Sequence, residues 1–480
     1  MAELKDKTKN GLFWSGLMSL MQQVFGLAFS IIIARKLNPS DYGMVGMLTI
    51  FTAVATCLQD GGLVWALTNR KEVSNLQYSS IFWFNVIASV FIYGILFLCA
   101  PLIADFFNHY ELIWLSRYIF LGLVFSSLGM VHTAFLYKEI KVKERAISTI
   151  VGIIVAGVVG IILAYNGFSY WGIATQGILN IGITTFMLWI FSPFRPSLKI
   201  DWGFLKSIIL EGIKFVIPNI FAIVGENVFS VILGKKYSVN DVGNFTQASK
   251  WNTTGYSIIL GMMRNVSQPV LVQVRDNKQQ YLNVFRKLYR MTAFLIIPVM
   301  FGLSMVAPEF IEIILTSKWL ESATILRVLC IGGCIGVLNS MFTYFIMSLN
   351  RTNLYMYLGI GMSIIHVVSA LIASNWGAMA LAYTYTLISF VSFILYYMFI
   401  RQTHPYNLSM LIEDLAPILV ITICSLLFSY YLTIDIDNAI IRLISRITIS
   451  VCLYIGLMQI FNCDSYMEIK SFLLHKIKRN

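Results

Sequence analysis

Lys250 and Arg264 stand 14 residues apart inside one largely uncharged stretch, and they are the residues best placed for chemistry in this chain. On a helix that spacing leaves them about 40° apart on one face and roughly 21 Å apart along the axis. Gln247, Thr254, Ser257, Gly261, Asn265 and Gln268 fall on or near the same stripe, while Ile258, Ile259, Met262, Met263 and Val266 fall opposite. A polar stripe in lipid has to face protein or a hydrated cavity. There the two cations would form rungs for an anionic group crossing a bilayer. Placed near the interfaces instead, both would snorkel, Arg264 the more readily because its end of the stretch is closer.

Other polar residues inside apolar stretches are weighed in the same way. Thr49, Thr52, Thr56 and Gln59 make a second stripe that ends at Asp60-Gly61-Gly62. Asp60 would titrate, pair with a neighbouring cation, or mark a hydrated helix end. Pro218 removes a backbone hydrogen bond and permits a bend. Glu226 would bind a coupling cation or pair with a basic group, whereas Glu211 and Lys214, one turn apart, read as a local pair. Arg117 and Arg327 occupy similar places near the starts of two stretches, as cavity cations or as snorkelling anchors. Gln22 and Gln23 are polar enough to face a cavity. His132 and His366 are lone and read as hydrogen-bonded structural histidines. Asp435-x-Asp437 is read as a coincidence of spacing, so no metal site is expected.

The elements that position these residues are membrane-spanning helices. The chain is 58% hydrophobic and 12% charged, against roughly 25% charged in a soluble domain. On a ruler of about 20 apolar residues per span, fourteen spans are predicted: 11–34, 43–67, 78–101, 112–136, 147–166, 170–191, 208–233, 243–268, 290–315, 324–348, 354–374, 377–400, 411–432 and 442–461. The first is too long for a signal-peptide core and is expected to be retained. The seven cysteines lie mostly within apolar runs and read as small fillers. The charge of +12 fits cations gathered in cytoplasmic loops better than nucleic-acid binding.

Loop cations set the orientation. With the start of the chain in the cytoplasm, that side receives 23 of them, among them Lys5, Arg70, Lys141, Arg145, Arg286, Arg290 and Arg479. The other side receives six: Arg35, Lys36, Lys235, Lys236, Lys318 and Arg442. Both termini are therefore expected in the cytoplasm.

The chain also repeats itself. Ile31–Gly43 (Ile-Ile-Ile-Ala-Arg-Lys-Leu-Asn-Pro-Ser-Asp-Tyr-Gly) aligns without a gap on Val231–Gly243 (Val-Ile-Leu-Gly-Lys-Lys-Tyr-Ser-Val-Asn-Asp-Val-Gly). Ala100-Pro101 recurs as Ala307-Pro308, and Trp171-Gly172 as Trp376-Gly377. Such a repeat marks a transporter of two related halves. The expected architecture is all-α and polytopic. Residues 1–200 and 201–405 form two six-helix bundles related by a pseudo-twofold along the membrane normal. Residues 406–480 add two helices and a basic tail.

The segment Ile31–Leu37 followed by Pro39-x-Asp41-Tyr42-Gly43 resembles the first-hairpin signature of Wzx-type polysaccharide flippases. Leu58-Gln59-Asp60-Gly61-Gly62-Leu63, Leu233-Gly234-Lys235 and Trp319 extend the resemblance over essentially the whole chain. The WzxC-like branch is the most similar, within the multidrug/oligosaccharidyl-lipid/polysaccharide exporter superfamily. That resemblance implies a flippase carrying an undecaprenyl-(pyro)phosphate-linked oligosaccharide to the periplasmic leaflet of a bacterial inner membrane by alternating access. It implies a polyprenyl-phosphate-linked glycan as partner, with a polysaccharide polymerase and chain-length machinery as further ones. It calls for no cofactor, and leaves coupling to an H+ or Na+ gradient open. A cation-coupled small-molecule exporter is the alternative within the superfamily. A membrane enzyme fits less well, because the external loops are too short to present catalytic groups.

Overall fold

The computed structural model describes residues 2–63, 67, 70, 73–403, 405–463 and 466–468, without the side chains of residues 2–13, 210, 211, 214, 215 and 352. Among them all regular structure is helical. In chain order the helices are α1 (Ala2–Lys36), α2 (Pro39–Gly46), α3 (Thr49–Asp60), α4 (Asn75–Phe107), α5 (Leu112–Lys138), α6 (Val142–Tyr165), α7 (Tyr170–Phe191) and α8 (Trp202–Lys236). They continue with α9 (Val239–Gln273), α10 (Lys278–Ile314), α11 (Leu320–Ser348), α12 (Thr352–Ala373), α13 (Ala378–Thr403), α14 (Leu408–Leu432) and α15 (Ala439–Ile460).

Thirteen stretches among the described residues are long and apolar enough to cross a membrane, with α2 and α3 forming one of them. The chain is thus a multi-pass membrane protein. The expected eighth span is absent from that set, although α9 is a 35-residue helix. Its polar stripe lowers its apolarity, not its length.

Polar caps set several starts. Ser74 and Gln77 cap α4 reciprocally, with Gln77 N donating to Ser74 Oγ at 3.3 Å and Ser74 N to Gln77 Oε1 at 3.0 Å. Asp201 accepts from Phe204 N at 3.0 Å at the start of α8, and Asn277 accepts from Gln279 N and Gln280 N, both at 3.1 Å, at the start of α10. These caps lie upstream of the expected spans, so α8 and α10 run well past the apolar core into segments predicted as basic loops. The second span departs the other way. It begins at Pro39, breaks at the turn Met47–Leu48 and ends at Asp60, where Gly61 and Gly62 take positive φ. Of its predicted remainder, residues 64–66 lie outside those described.

The chain forms two compact units, residues 1–243 and 244–480. In the first, α6 packs on α1 and α7, and α5 on α4 and α7. Helix α8, which the repeat assigns to the second half, packs there against α3 and α4. In the second unit α10 packs on α11, α14 and α15, and α13 on α11 and α12.

The repeated hairpin has the same local design in both copies. Asp41 accepts from Asn38 N at 2.9 Å, and Asp241 accepts from Ser238 N at 3.0 Å and from Ser238 Oγ at 2.6 Å. Within the first unit the two copies also meet. A Cβ on Gly43 would lie 2.0 Å from the carbonyl oxygen of Val239, and one on Gly243 would lie 1.8 Å from that of Pro39. Only glycine lets backbone approach backbone this closely, which explains why the Asp-x-Gly pattern ends in glycine twice.

Candidate functional site

Helix α9 has two sides with opposite tasks. Toward the core of its own unit it buries Ala248, Trp251, Ile259 and Met263. The Trp251 ring meets Phe310 edge-on at 5.0 Å, Asn244 Nδ2 donates to Glu321 Oε2 at 2.7 Å, and Ser267 Oγ lies 3.6 Å from the Met341 sulfur. Lys250 and Arg264 are exposed on another side, with Thr254, Ser257 and Gly261 half-buried between them. The hydroxyls bond to their own helix: Thr254 Oγ1 donates to Lys250 O at 2.8 Å and Ser257 Oγ to Thr254 O at 3.2 Å. Both hydroxyls are thereby taken up within the helix. Lys250 lies 11 residues into α9, roughly 16 Å along the axis.

Two details of the predicted stripe change. Gln247 is buried, so it belongs to the packed side. The opposite apolar face divides: Ile259 and Met263 are buried, whereas Ile258, Met262 and Val266 are exposed, because the core-facing side rotates around α9 along its length.

The remaining candidates separate by environment. The Arg117 guanidinium sits between the rings of Phe97 and Trp114, at 4.2 and 5.1 Å, and its Nε donates to Phe97 O at 3.4 Å. That is an aromatic bracket at a helix end. Arg327 and Glu226 are exposed, and Gln22, Gln23 and Asp60 are half-buried. Asp60 closes α3. Its neighbour Gln59 is fully enclosed and exchanges hydrogen bonds with Ser126 at 2.9 and 3.1 Å, so the stripe on α3 does not share one face. Helix α8 continues unbroken through Pro218. The side chains of Glu211 and Lys214 lie outside the described residues. His366 packs edge-on to Tyr385 at 6.3 Å. His132 departs from expectation: among the described residues neither ring nitrogen has a hydrogen-bond partner. It is held instead by Trp189, Phe194 and Phe82, with ring centroids at 4.5, 5.4 and 6.4 Å.

Sequence reasoning missed two ion-pair clusters that join α14 and α15 to α10. At one end, Asp414 accepts from Arg286 Nη2 at 2.8 Å, from Arg286 Nε at 3.0 Å and from the Tyr406 hydroxyl at 2.9 Å. Arg290 reaches Asp414 at 3.5 Å and Glu468 at 2.7 Å. At the other end, Glu309 accepts from Arg446 at 2.6 Å and lies 3.2 Å from Arg442, while Arg446 also donates to Thr433 Oγ1 at 3.0 Å. Asp414 and Arg446 stand inside apolar runs, and that was the available signal.

A family model described as "Polysaccharide biosynthesis protein" matches residues 32–324. The chain is 20% identical to the lipopolysaccharide biosynthesis protein WzxC of Escherichia coli (strain K12), over 82% of this chain and 81% of that protein. It is 21% identical to the teichuronic acid biosynthesis protein TuaB of Bacillus subtilis (strain 168), over 99% of each. Among solved structures, lipid II flippase MurJ in an inward closed conformation superposes with a TM-score of 0.78 at 17% identity, covering 94% of this chain and 98% of that one. An inward-facing MATE family transporter of the MOP superfamily gives 0.65 at 17% identity, over 80% and 94%. These two share the fold.

Proposed function

The chain belongs to the polysaccharide biosynthesis protein family, and from that membership we propose that it is a flippase for a polyprenyl-(pyro)phosphate-linked oligosaccharide, not an enzyme. The observation that carries this reading is α9: one polar span among thirteen apolar ones, with Lys250 and Arg264 exposed along it. An anionic phosphate group cannot cross lipid unpaired, since burying an isolated charge costs far more than one contact returns. Lys250, 11 residues from one end of α9, and Arg264, nine from the other, would pair with it successively through charge-assisted hydrogen bonds. The glycan would pass through hydrated space while the polyprenyl tail stays in lipid.

The names of the relatives support a glycan cargo: WzxC, TuaB and a succinoglycan biosynthesis transport protein of Rhizobium meliloti (strain 1021), 21% identical over 64% of this chain. The loop cations put the hairpin ends at Lys36 and Lys236 on the periplasmic side. In that orientation, cysteines placed singly at Ser40 and Asn240 react with an impermeant thiol reagent outside intact cells, and one at Lys141 does not.

Deleting the gene tests the function itself. Lipid-linked oligosaccharide should accumulate on the cytoplasmic leaflet and the matching surface glycan should disappear. Unchanged surface glycan with raised sensitivity to toxic cations would point instead to a small-molecule exporter.

A further inference from the structure

Within the first unit, α3, α4 and α8 enclose a groove of about 670 Å³ whose lining includes Phe51, Ala55, Ile95, Ile103, Phe106 and Val231. Its lining is apolar along its length, and one end is not. There the Lys235 ammonium stands over the Phe106 ring, 5.0 Å from its centroid. Lys235 is exposed, and among the described residues no carboxylate pairs with it. This arrangement is built, because Gly234 lets α8 close on the far side of the groove. A Cβ there would lie 2.8 Å from Phe107 and 2.9 Å from Met47, and Phe107 in turn packs edge-on to Phe51 and Phe106.

An apolar groove that ends at an exposed cation fits an amphiphile with an anionic head and a long hydrocarbon tail. We propose that it seats the carrier lipid of the cargo, with the isoprenoid tail along α3 and α4 and the phosphate at Lys235. The proposal rests on the flippase reading above and adds a second site to it, distinct from the α9 cations. The groove lies in the membrane half that ends at Lys235 and Phe106, which the loop cations assign to the periplasmic leaflet. It therefore receives the lipid after crossing and holds its tail while the head leaves the protein. A recess offers a hydrocarbon tail more contact than a flat helix surface does, and the cargo of the flippase reading is an amphiphile with both a phosphate head and a long isoprenoid tail.

The test uses the full chain purified in detergent, with native mass spectrometry counting retained lipid. The probes are a long-chain polyprenyl monophosphate and, at equal concentration, phosphatidylglycerol. The unmodified chain should retain the polyprenyl phosphate about tenfold more than phosphatidylglycerol. Ile95→Trp fills the groove from an exposed position and should lower polyprenyl retention by about tenfold, and Lys235→Gln by a similar factor through loss of a charge-assisted contact. Equal retention of the two lipids overturns the proposal, as does unchanged polyprenyl retention in Ile95→Trp with an unaltered unfolding temperature. Lys235→Gln, at the surface, keeps the test open should Ile95→Trp fail to fold. Transport of lipid-linked glycan by the unmodified chain in vesicles is measured alongside. Transport without selective retention removes the groove alone, and no transport removes the flippase reading and the groove with it.

Discussion

In the second unit, Asp414 is wholly enclosed and accepts from Arg286, Arg290 and Tyr406, while Lys250 and Arg264 on α9 are exposed. Both sets put charge into long helices, but the surroundings differ. Around Asp414 and Glu309 the charges of α10, α14 and α15 pair with one another at 2.6–3.5 Å. Along α9 the polar groups between the cations bond within their own helix and leave the cations turned outward. Enclosed pairs hold helices together, since removing one partner strands the other. Exposed cations on a span are in reach of something that passes. Charge in a span thus has two meanings, and its enclosure decides which applies.

The largest effect should follow from attacking the enclosed set. Asp414→Ala leaves Arg286 without its bidentate partner and removes the acceptor of Tyr406. The expected cost is about 3–5 kcal/mol, read as a clear fall in the unfolding temperature in detergent and in membrane yield. Any loss of transport should then scale with the protein lost. Normal stability in Asp414→Ala would break the comparison, because the enclosed charges would not be structural.

Next comes Lys250→Gln, where the comparison requires the reverse pattern: unchanged folding and reduced transport. A charge-assisted contact is worth ~1.5–3 kcal/mol, so if it acts at the transport barrier the rate falls by about one to two orders of magnitude. The measurement is flipping rate at matched protein level, with unfolding temperature beside it. A destabilised but fully active Lys250→Gln would place Lys250 with Asp414 among the structural charges.

What the sequence made legible follows the same division. Long apolar runs revealed the spans, since lipid demands helices of a set length. The 14-residue spacing of Lys250 and Arg264 placed both on the exposed side of α9, because helical periodicity is local. Partnership is not local. Asp414 and Arg286 are 128 residues apart and Arg446 and Glu309 are 137, so no spacing rule pairs them. The same limit applies to Gln247 and Gln59, each read as part of a polar stripe and each buried by a neighbouring helix. The break at Met47–Leu48 and the overshoot of α8 and α10 depend on caps and turns, which an apolar ruler does not register.

The smallest effects sharpen the comparison most, because they separate charge from shape. Lys250→Arg keeps the cation and changes its geometry from a compact ammonium to a planar fork. An exposed cation that only has to neutralise a passing phosphate should tolerate that change, with transport within a few-fold of the unmodified chain. Arg264 lies nine residues from the C-terminal end of α9, the end the loop cations assign to the cytoplasm, so Arg264→Gln should slow loading more than release. Pre-steady-state flipping in vesicles distinguishes these steps: a lag before transport marks slow loading, and a reduced rate after the lag marks slow release. Lys250→Arg as damaging as Lys250→Gln would mean that shape, not charge, matters at Lys250. Near-normal transport by the Lys250→Gln, Arg264→Gln double variant would remove both cations from the pathway while leaving the fold and the family intact.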